Sequence, residues 1–330
     1  VFCIFRTATM TRFAFRRRTR NALHAVWQIG KSAVRFNLAL FQVLIPSKHT
    51  FAFPDAYDIA DDDPNSWKTY LAANVLTTRA GSRILEPLTH VHIPTRLRSF
   101  AYRFYEKVVG DIKWHEFKQD LKEYPSFHEF FTRRLERPRA ISPETDLVSP
   151  VDGKVVSFGE LDQDTQTLEQ IKGVRFKLHQ FLQMRVAKDV YEKGHKLYYA
   201  ILYLSPADYH RFHSPSEDLE IDAVNHVSGQ LLSVNPSWLK RVPGLFTLNE
   251  RVVMTGKWKE KWFFAYVPVG AYNVGSIHLT HDKHRRFQTN HRSSDKKVRQ
   301  GGPHKIYLPD EQPDEHWDRR SYEKGEEIGY

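Results

Sequence analysis

From about residue 147 to Tyr330, short apolar runs alternate with clusters of Gly, Pro, Asn and Asp, and that punctuation confines this half to strand-built architectures. The runs include Lys154 to Phe158, Leu197 to Leu204, Val252 to Thr255 and Trp262 to Val269. β-Branched and aromatic residues are common in them, and helical spacing is weak. Residues 67–137 read differently, as helices. Helices first and a mainly antiparallel β domain second is an α+β order. No internal repeat at a solenoid period interrupts it.

In the helical part, Leu97, Phe100, Ala101, Phe104 and Val108 share one face at helical spacing. Pro94 suits the start of that helix and Gly110 its end. A second helix is expected around Trp114, Phe117 and Leu121, ending before Pro125. A third begins at Ser126, whose hydroxyl can cap the first turn while Glu129 reaches back. It carries Phe127, Phe130, Phe131 and Leu135 and stops before Pro138. Aromatic-plus-Arg helices suit an anionic lipid surface. The plainer expectation is that the aromatics pack on the domain that follows.

Charge is distributed unevenly. Of a net +10, residues 1–54 contribute nine positive charges and no negative one, because Asp55 is the first acid. The basic balance therefore belongs to a tail and says little about a nucleic-acid surface on the body. Residues 1–36, Arg-rich and acid-free, suit a mitochondrial presequence. A disordered basic arm for nucleic acid is the competing reading. The apolar run from Ala33 to Pro46 falls short of the roughly 20 apolar residues a span needs, and suits either an anchor at a membrane surface or the end of the presequence. Residues 55–66 read as an acidic linker. The expected organisation is thus 1–54 presequence and anchor, 55–66 linker, 67–145 helical and membrane-facing, 146–330 β-rich and catalytic.

One cysteine, Cys3, excludes an internal disulfide, a cysteine-based zinc site and an iron–sulfur cluster. The phosphate loop, the dinucleotide turn, the His-Glu-x-x-His zinc helix and the Gly-x-Ser-x-Gly elbow are all missing. What stands out is Ser205-Pro206-Ala207-Asp208-Tyr209-His210-Arg211-Phe212-His213-Ser214-Pro215, a Pro-bracketed loop after an apolar strand. Either histidine can move a proton near neutral pH. A metal on His-x-x-His lacks a third ligand nearby, so none is expected. Ser149-Pro150-Val151-Asp152-Gly153-Lys154-Val155 places an Asp-Gly turn before a strand, and such an aspartate can orient a histidine. The charged stretch around Asn249-Glu250-Arg251 reads as an exposed turn before a strand. Gly270 and Gly275 suggest close backbone approach or a bulge.

Taken together these segments resemble phosphatidylserine decarboxylases, most closely the mitochondrial type. Six collinear blocks carry the resemblance: Phe130-Phe131-Thr132-Arg133-Arg134-Leu135; Ser149 to Val155; Tyr203 to Pro215; Leu232-Ser233-Val234-Asn235-Pro236; Leu248-Asn249-Glu250-Arg251-Val252; and Val269-Gly270-Ala271-Tyr272-Asn273-Val274-Gly275-Ser276-Ile277. The similarity runs from roughly Trp67 to Tyr330, and Tyr272 departs from the small residue usual there. The resemblance implies a precursor that cuts itself at the Gly-Ser bond of a Leu-Gly-Ser-Thr motif, the serine becoming a covalent pyruvoyl group on the small chain. It implies that Asp152 and His213 belong to the set that activates this serine, with His210 serving the later decarboxylation as proton donor or substrate-orienting group. The implied substrate is phosphatidylserine at a membrane surface and the product phosphatidylethanolamine. The implied partner is the small pyruvoyl-bearing chain of the same precursor, with no nucleic acid and with a homodimer left open. The implied location is the mitochondrial inner membrane.

The motif that should follow Lys324-Gly325-Glu326-Glu327-Ile328-Gly329-Tyr330 is not in the sequence. Gly81-Ser82 and Gly275-Ser276 are its Gly-Ser pairs, and neither precedes Thr. The chain therefore reads as most of the large chain, or a precursor cut short, and a chain ending at Tyr330 is expected to be unable to form the pyruvoyl group. A non-catalytic, membrane-associated relative is the alternative.

Overall fold

The computed structural model describes residues 1–7, 82, 85–110, 112–117, 120–162, 165–171, 174–186, 196–234, 236–242, 244–272, 274–281, 306–307 and 319–330. The expected linker at 55–66, the run Ala33 to Pro46 and the start of the helical region lie outside these residues.

In chain order the strands are β1 (Phe2–Thr7), β2 (Lys154–Glu160), β3 (Thr167–Ile171), β4 (Val174–Lys177), β5 (Arg185–Val186), β6 (Lys196–Tyr203), β7 (Phe212–His213), β8 (Leu219–Val227), β9 (Arg251–Trp258), β10 (Trp262–Val267), β11 (Ile306–Tyr307), β12 (Arg320–Tyr322) and β13 (Glu327–Gly329). The helices include α1 (Thr95–Val109), α2 (Phe127–Phe131), α3 (Leu178–Leu182), α4 (Pro236–Arg241) and α5 (Leu245–Leu248). Seven strands form one sheet in the order β12-β8-β9-β10-β1-β6-β2. Every neighbouring pair in it is antiparallel. The α+β expectation holds, and the four strand runs read from the sequence fall on β2, β6, β9 and β10.

The central sheet is covered on both faces, which is why its strands read as continuous apolar runs. Side chains alternate between two cores as the pleat requires. Ile4, Leu197, Tyr199, Ile201, Val253, Phe263 and Ala265 join one cluster with residues of β3, β4 and α3. Cys3, Leu202, Val252, Met254, Phe264 and Tyr266 join the other with Val151, Phe212, Ile277 and Ile328. The histidine loop borders this second core.

Of the segment read as a presequence, residues 1–7 are described, and residues 2–7 form a strand of the central sheet. β1 sits mid-sheet, with Ile4 opposite Ala265 of β10 and Tyr199 of β6. Because β1 is antiparallel to both neighbours, β6 and β10 run the same way. A strand of reverse direction is what hydrogen-bonds to both.

The helical part is a separate small core around Tyr102, Tyr105, Val109, Phe117, Leu121, Tyr124 and Phe130. α1 starts after Pro94 and ends at Gly110, as its sequence signals require. Its inward face, however, is Tyr102, Tyr105 and Val109. The stripe at helical spacing points outward, with Leu97 55%, Phe100 72% and Phe104 52% exposed. The tyrosines win the interior because their hydroxyls find acceptors there. Tyr102 donates to the carbonyls of Tyr124 (2.7 Å) and Ser126 (3.1 Å) and stacks on Phe130 at 4.2 Å.

The expected second helix is two 3-10 turns, Trp114–Glu116 and Leu121–Glu123. The Asp120 carboxylate accepts from Lys122 N at 2.9 Å, starting the second turn afresh. The Ser126 cap forms as expected, accepting from Glu129 N at 3.3 Å. α2 stops at Phe131, short of the expected Leu135, and Thr132 bonds back to the His128 carbonyl at 2.8 Å. That early stop turns Arg133 inward.

The segment read as an exposed turn is buried instead. Asn249, Glu250 and Arg251 are all sealed from solvent. Asn249 accepts from Leu232 N (3.0 Å) and donates to the carbonyls of Leu232 (2.8 Å) and Gly270 (2.9 Å). Arg251 donates to the carbonyls of Phe181, Thr247, Asn249 and Gln180 at 2.8–3.0 Å. Glu250 pairs with His226 at 2.7 Å. Three of the six sequence blocks thus meet in one polar hub that ties loops to the sheet.

Candidate active site at the histidine loop

β6 delivers the chain into the loop, and a local turn and three separate elements then hold it. The Asp208 carboxylate accepts from Ser205 N at 2.6 Å, closing a local turn. Burial pushes the Asp208 carboxyl above its usual range. Tyr105 of α1 donates to the Pro206 carbonyl at 2.9 Å. Arg133, just past α2, donates to the carbonyls of Ala207 (3.0 Å), Phe130 (3.2 Å) and Asp208 (3.4 Å). Its guanidinium is buried over the Phe117 ring at 4.1 Å, and desolvation holds its pKa below the usual value. Arg211 donates to the Thr132 carbonyl at 2.8 Å and pairs with Glu327 of β13 at 2.6 Å.

His210 packs its ring on Phe131 at 3.8 Å and its Nδ1 lies 2.8 Å from the Asp208 carbonyl. A carbonyl only accepts, so Nδ1 carries the proton and Nε2 the lone pair. Removal from water, then the Arg133 charge, lowers its pKa to about 3. At neutral pH His210 is an uncharged imidazole with an open acceptor nitrogen.

His213 is held at both nitrogens. Nδ1 lies 2.9 Å from the Gly325 carbonyl and Nε2 lies 3.1 Å from the Tyr209 hydroxyl. Its backbone N donates to the Pro150 carbonyl at 2.9 Å, so the loop and the Asp152 turn are neighbours. The expected carboxylate–imidazole contact is replaced here. Asp152 is engaged by Arg139, with one contact at 2.9 Å, and Glu116 grips the same guanidinium at 2.5 Å. Arg139 in turn lies 5.7 Å from the Tyr209 ring centroid. Asp152 and His213 are connected through Arg139 and Tyr209, without a bond of their own. Gly153 permits this turn. It has φ +101°, and a Cβ there would fall 2.1 Å from the Tyr203 carbonyl oxygen.

β13 runs antiparallel to β7, placing Glu327 opposite His213 and Gly329 opposite Phe212. Tyr330 exchanges backbone bonds of 2.9 Å with His278, and its ring lies against His278 and under Arg211. The segment Glu327 to Tyr330 is therefore laid along the histidine loop. Ser276 is committed elsewhere, its hydroxyl donating to Glu86 at 2.6 Å.

Arg133, Tyr209, Arg211 and Glu327 are the site residues that sequence reasoning passed over. Arg133, Tyr209 and Arg211 lay inside blocks already singled out. The missed signal was three bulky polar residues flanking aromatic and histidine positions. Among the described residues no three His, Cys, Asp or Glu side chains are placed to hold a metal ion.

The family model for phosphatidylserine decarboxylase matches residues 127–330, which takes in α2, the histidine loop and β13. A mitochondrial phosphatidylserine decarboxylase proenzyme of Rattus norvegicus is 36% identical over 235 residues, covering 66% of this chain and 57% of that protein. The mitochondrial proenzyme of Caenorhabditis elegans is 39% identical over 237 residues, 68% of this chain and 58% of that one. The proenzyme of Plasmodium knowlesi is 36% identical over 214 residues, 64% and 59% respectively. The matched region thus spans somewhat more than half the length of these relatives. The chain belongs to the phosphatidylserine decarboxylase family.

Proposed function

We propose that this chain is the large-chain part of a phosphatidylserine decarboxylase that converts phosphatidylserine to phosphatidylethanolamine, with the pyruvoyl-forming serine supplied by sequence beyond Tyr330. The observation that carries the reading is convergence. Sequence blocks far apart in the chain, at Phe130 to Arg133, at Ser149 to Gly153 and at Tyr203 to Ser214, meet at one loop with β13 laid beside it.

In this reading His213 is the base for the serine hydroxyl, since a hydroxyl near its ordinary pKa is a poor nucleophile until its proton is taken. Asp152 supports it from behind Arg139. A pyruvoyl group, once formed, supplies a carbonyl that takes up the electrons left as carbon dioxide departs. The chain's own contribution to that step is His210. Its open Nε2 accepts a hydrogen bond from the substrate amine and so orients it. β13 fits as the carrier, because its antiparallel register with β7 runs from His213 toward Phe212.

The substrate is a membrane lipid, and the outward stripe of α1 suits contact with its bilayer. Leu88, Val91, Leu97, Phe100 and Phe104 are exposed, with Arg96, Arg103 and Lys107 also on the surface. Apolar side chains flanked by cations favour an anionic lipid surface. Surface association through α1 is the proposed mode; among the described residues no helix is long and apolar enough to cross a membrane. A mitochondrial inner-membrane location, in keeping with the mitochondrial relatives, belongs to the same proposal.

The test is expression of the gene through its natural stop codon, followed by separate His213→Ala and His210→Ala variants. His213→Ala should remain uncut. His210→Ala should cut itself yet form no phosphatidylethanolamine. The opposite pattern would exchange the two roles, and normal activity in both would refute the site.

A further inference from the structure

We propose that Arg133 is a positioning residue for His210. Its guanidinium ties the end of α2 to the histidine loop, and the two elements so joined fix the ring plane of His210 and the nitrogen that carries its proton. The inference deepens the reading of His210 as the group that orients the substrate amine, and rests on it.

Three observations carry it. First, one guanidinium holds two elements far apart in sequence. Its Nη1 donates to the Phe130 carbonyl at 3.2 Å, and its Nη2 donates to the carbonyls of Ala207 at 3.0 Å and Asp208 at 3.4 Å. Second, each element presents one wall to His210. Phe131, next to Phe130, packs its ring on the imidazole with centroids 3.8 Å apart. The Asp208 carbonyl that Arg133 reaches is also the acceptor for His210 Nδ1 at 2.8 Å. A carbonyl oxygen has two lone pairs, so both donors fit on it. Third, the cation is sealed in. Arg133 is 2% exposed, lies 4.1 Å over Phe117 and 5.1 Å over Phe130, and its Nε finds no hydrogen-bond partner among the described residues. Burying a guanidinium in this way is unfavourable. An apolar side chain of similar size would fill the space without reaching either set of carbonyls.

The charge acts on the same ring as the contacts. The groups that bear on His210 are Arg133, which opposes its protonation, and the Asp208 carbonyl and Asp152, which favour it. Removal from water and the Arg133 cation prevail, so the imidazole stays neutral, with Nδ1 protonated and Nε2 left to accept. His213 is held by other groups, with Nδ1 on the Gly325 carbonyl and its backbone N on the Pro150 carbonyl. Arg133 therefore bears on decarboxylation and leaves self-cleavage alone.

The experiment uses protein expressed from the complete gene, with self-cleavage followed on gels. Arg133→Met keeps much of the side chain's bulk but loses the charge and both sets of contacts. Its self-cleavage should run at the wild-type rate. Conversion of phosphatidylserine in anionic vesicles should fall about tenfold in kcat, the rate equivalent of one lost hydrogen bond, with KM changed less than about twofold. Histidine 15N spectra, with the His210 signals identified by their absence from His210→Ala, should show the single Nδ1-protonated form giving way to a mixture of tautomers. The acid limb of the kcat profile should move up in pH toward the ordinary histidine value of 6.5, because the opposing cation is gone. Should Arg133→Met fail to fold, Arg133→Lys decides. It keeps the cation, so the acid limb should stay where wild type has it. Its kcat should still fall and its tautomers mix, because one ammonium lacks the fork that spans both elements. In the variant that folds, either a wild-type kcat or an unchanged His210 spectrum overturns the proposal. So does a parallel loss of self-cleavage and decarboxylation, which would mark Arg133 as a general support of the fold. If His210→Ala still forms phosphatidylethanolamine at the wild-type rate, the role given to His210 has failed, while the nitrogen spectra still decide whether Arg133 positions its ring.

Discussion

Replacing Gly153 by alanine asks two things of the structure that can be measured separately. The residue has φ +101°, a conformation that an L side chain adopts at a cost of about 1–2 kcal/mol. Its new Cβ would also fall 2.1 Å from the Tyr203 carbonyl oxygen and 2.9 Å from the carbonyl carbon, so backbone has to move. Overpacking of that kind adds about 1–3 kcal/mol. Gly110 provides the control, because its φ is +105° but nothing lies within 4 Å of a Cβ there. Gly110→Ala should therefore show the conformational cost alone, a melting temperature lower by about 2–4 °C at roughly 2 °C per kcal/mol for a chain of this size. Gly153→Ala should fall by about 4–10 °C. Displacing the Asp152 turn should also slow self-cleavage in Gly153→Ala and leave it untouched in Gly110→Ala. Differential scanning calorimetry and a cleavage time course on the two proteins suffice. Equal melting shifts, or wild-type cleavage in Gly153→Ala, would refute the claim that close approach to β6 positions Asp152.

Three further outcomes follow from other parts of the molecule. Ile4 is fully buried mid-sheet, so Ile4→Ala should cost about 2–5 kcal/mol in thermal unfolding, whereas a residue in a detached leader would cost nothing. His210 and His128 have pKa values lowered by burial to about 3 and about 4. Unfolding lets each take up a proton near its ordinary value, so the stability they confer is complete above about pH 6.5 and is lost as pH falls toward 4 and 3. Each contributes a slope of up to about 1.4 kcal/mol per pH unit in that window. Urea titrations should show His210→Gln flattening the slope by about one proton, and an unchanged slope would contradict the buried neutral imidazole. Phe100→Ser combined with Phe104→Ser should weaken sedimentation with anionic vesicles without lowering the melting temperature, since both side chains are exposed.

What could be read from the sequence followed from local rules. Strand runs bounded by Gly and Pro, the Ser126 cap and the Pro94 and Gly110 limits of α1 all depend on neighbouring residues, and all appear. Which way α1 faces was not readable. Periodicity finds an apolar stripe, but Tyr102 and Tyr105 outcompete it because their hydroxyls reach carbonyls distant in sequence. The hub at Asn249-Glu250-Arg251 was misread for a related reason. Charged residues look exposed until their partners are known, and the partners of Arg251 are mostly backbone carbonyls, which leave no mark in composition. The histidine loop announced itself through its prolines and paired histidines. Its supports, Arg133 from after α2 and Glu327 from β13, come from distant parts of the chain. The place of β1 between β6 and β10 is likewise a matter of long-range pairing that an Arg-rich context concealed.

The most direct test of the whole account is the conversion of phosphatidylserine in anionic vesicles by protein made from the complete gene, with lipid products resolved by mass spectrometry. Phosphatidylethanolamine should accumulate with wild-type protein and disappear with His210→Ala. Self-cleaved, folded protein that leaves phosphatidylserine intact would contradict it.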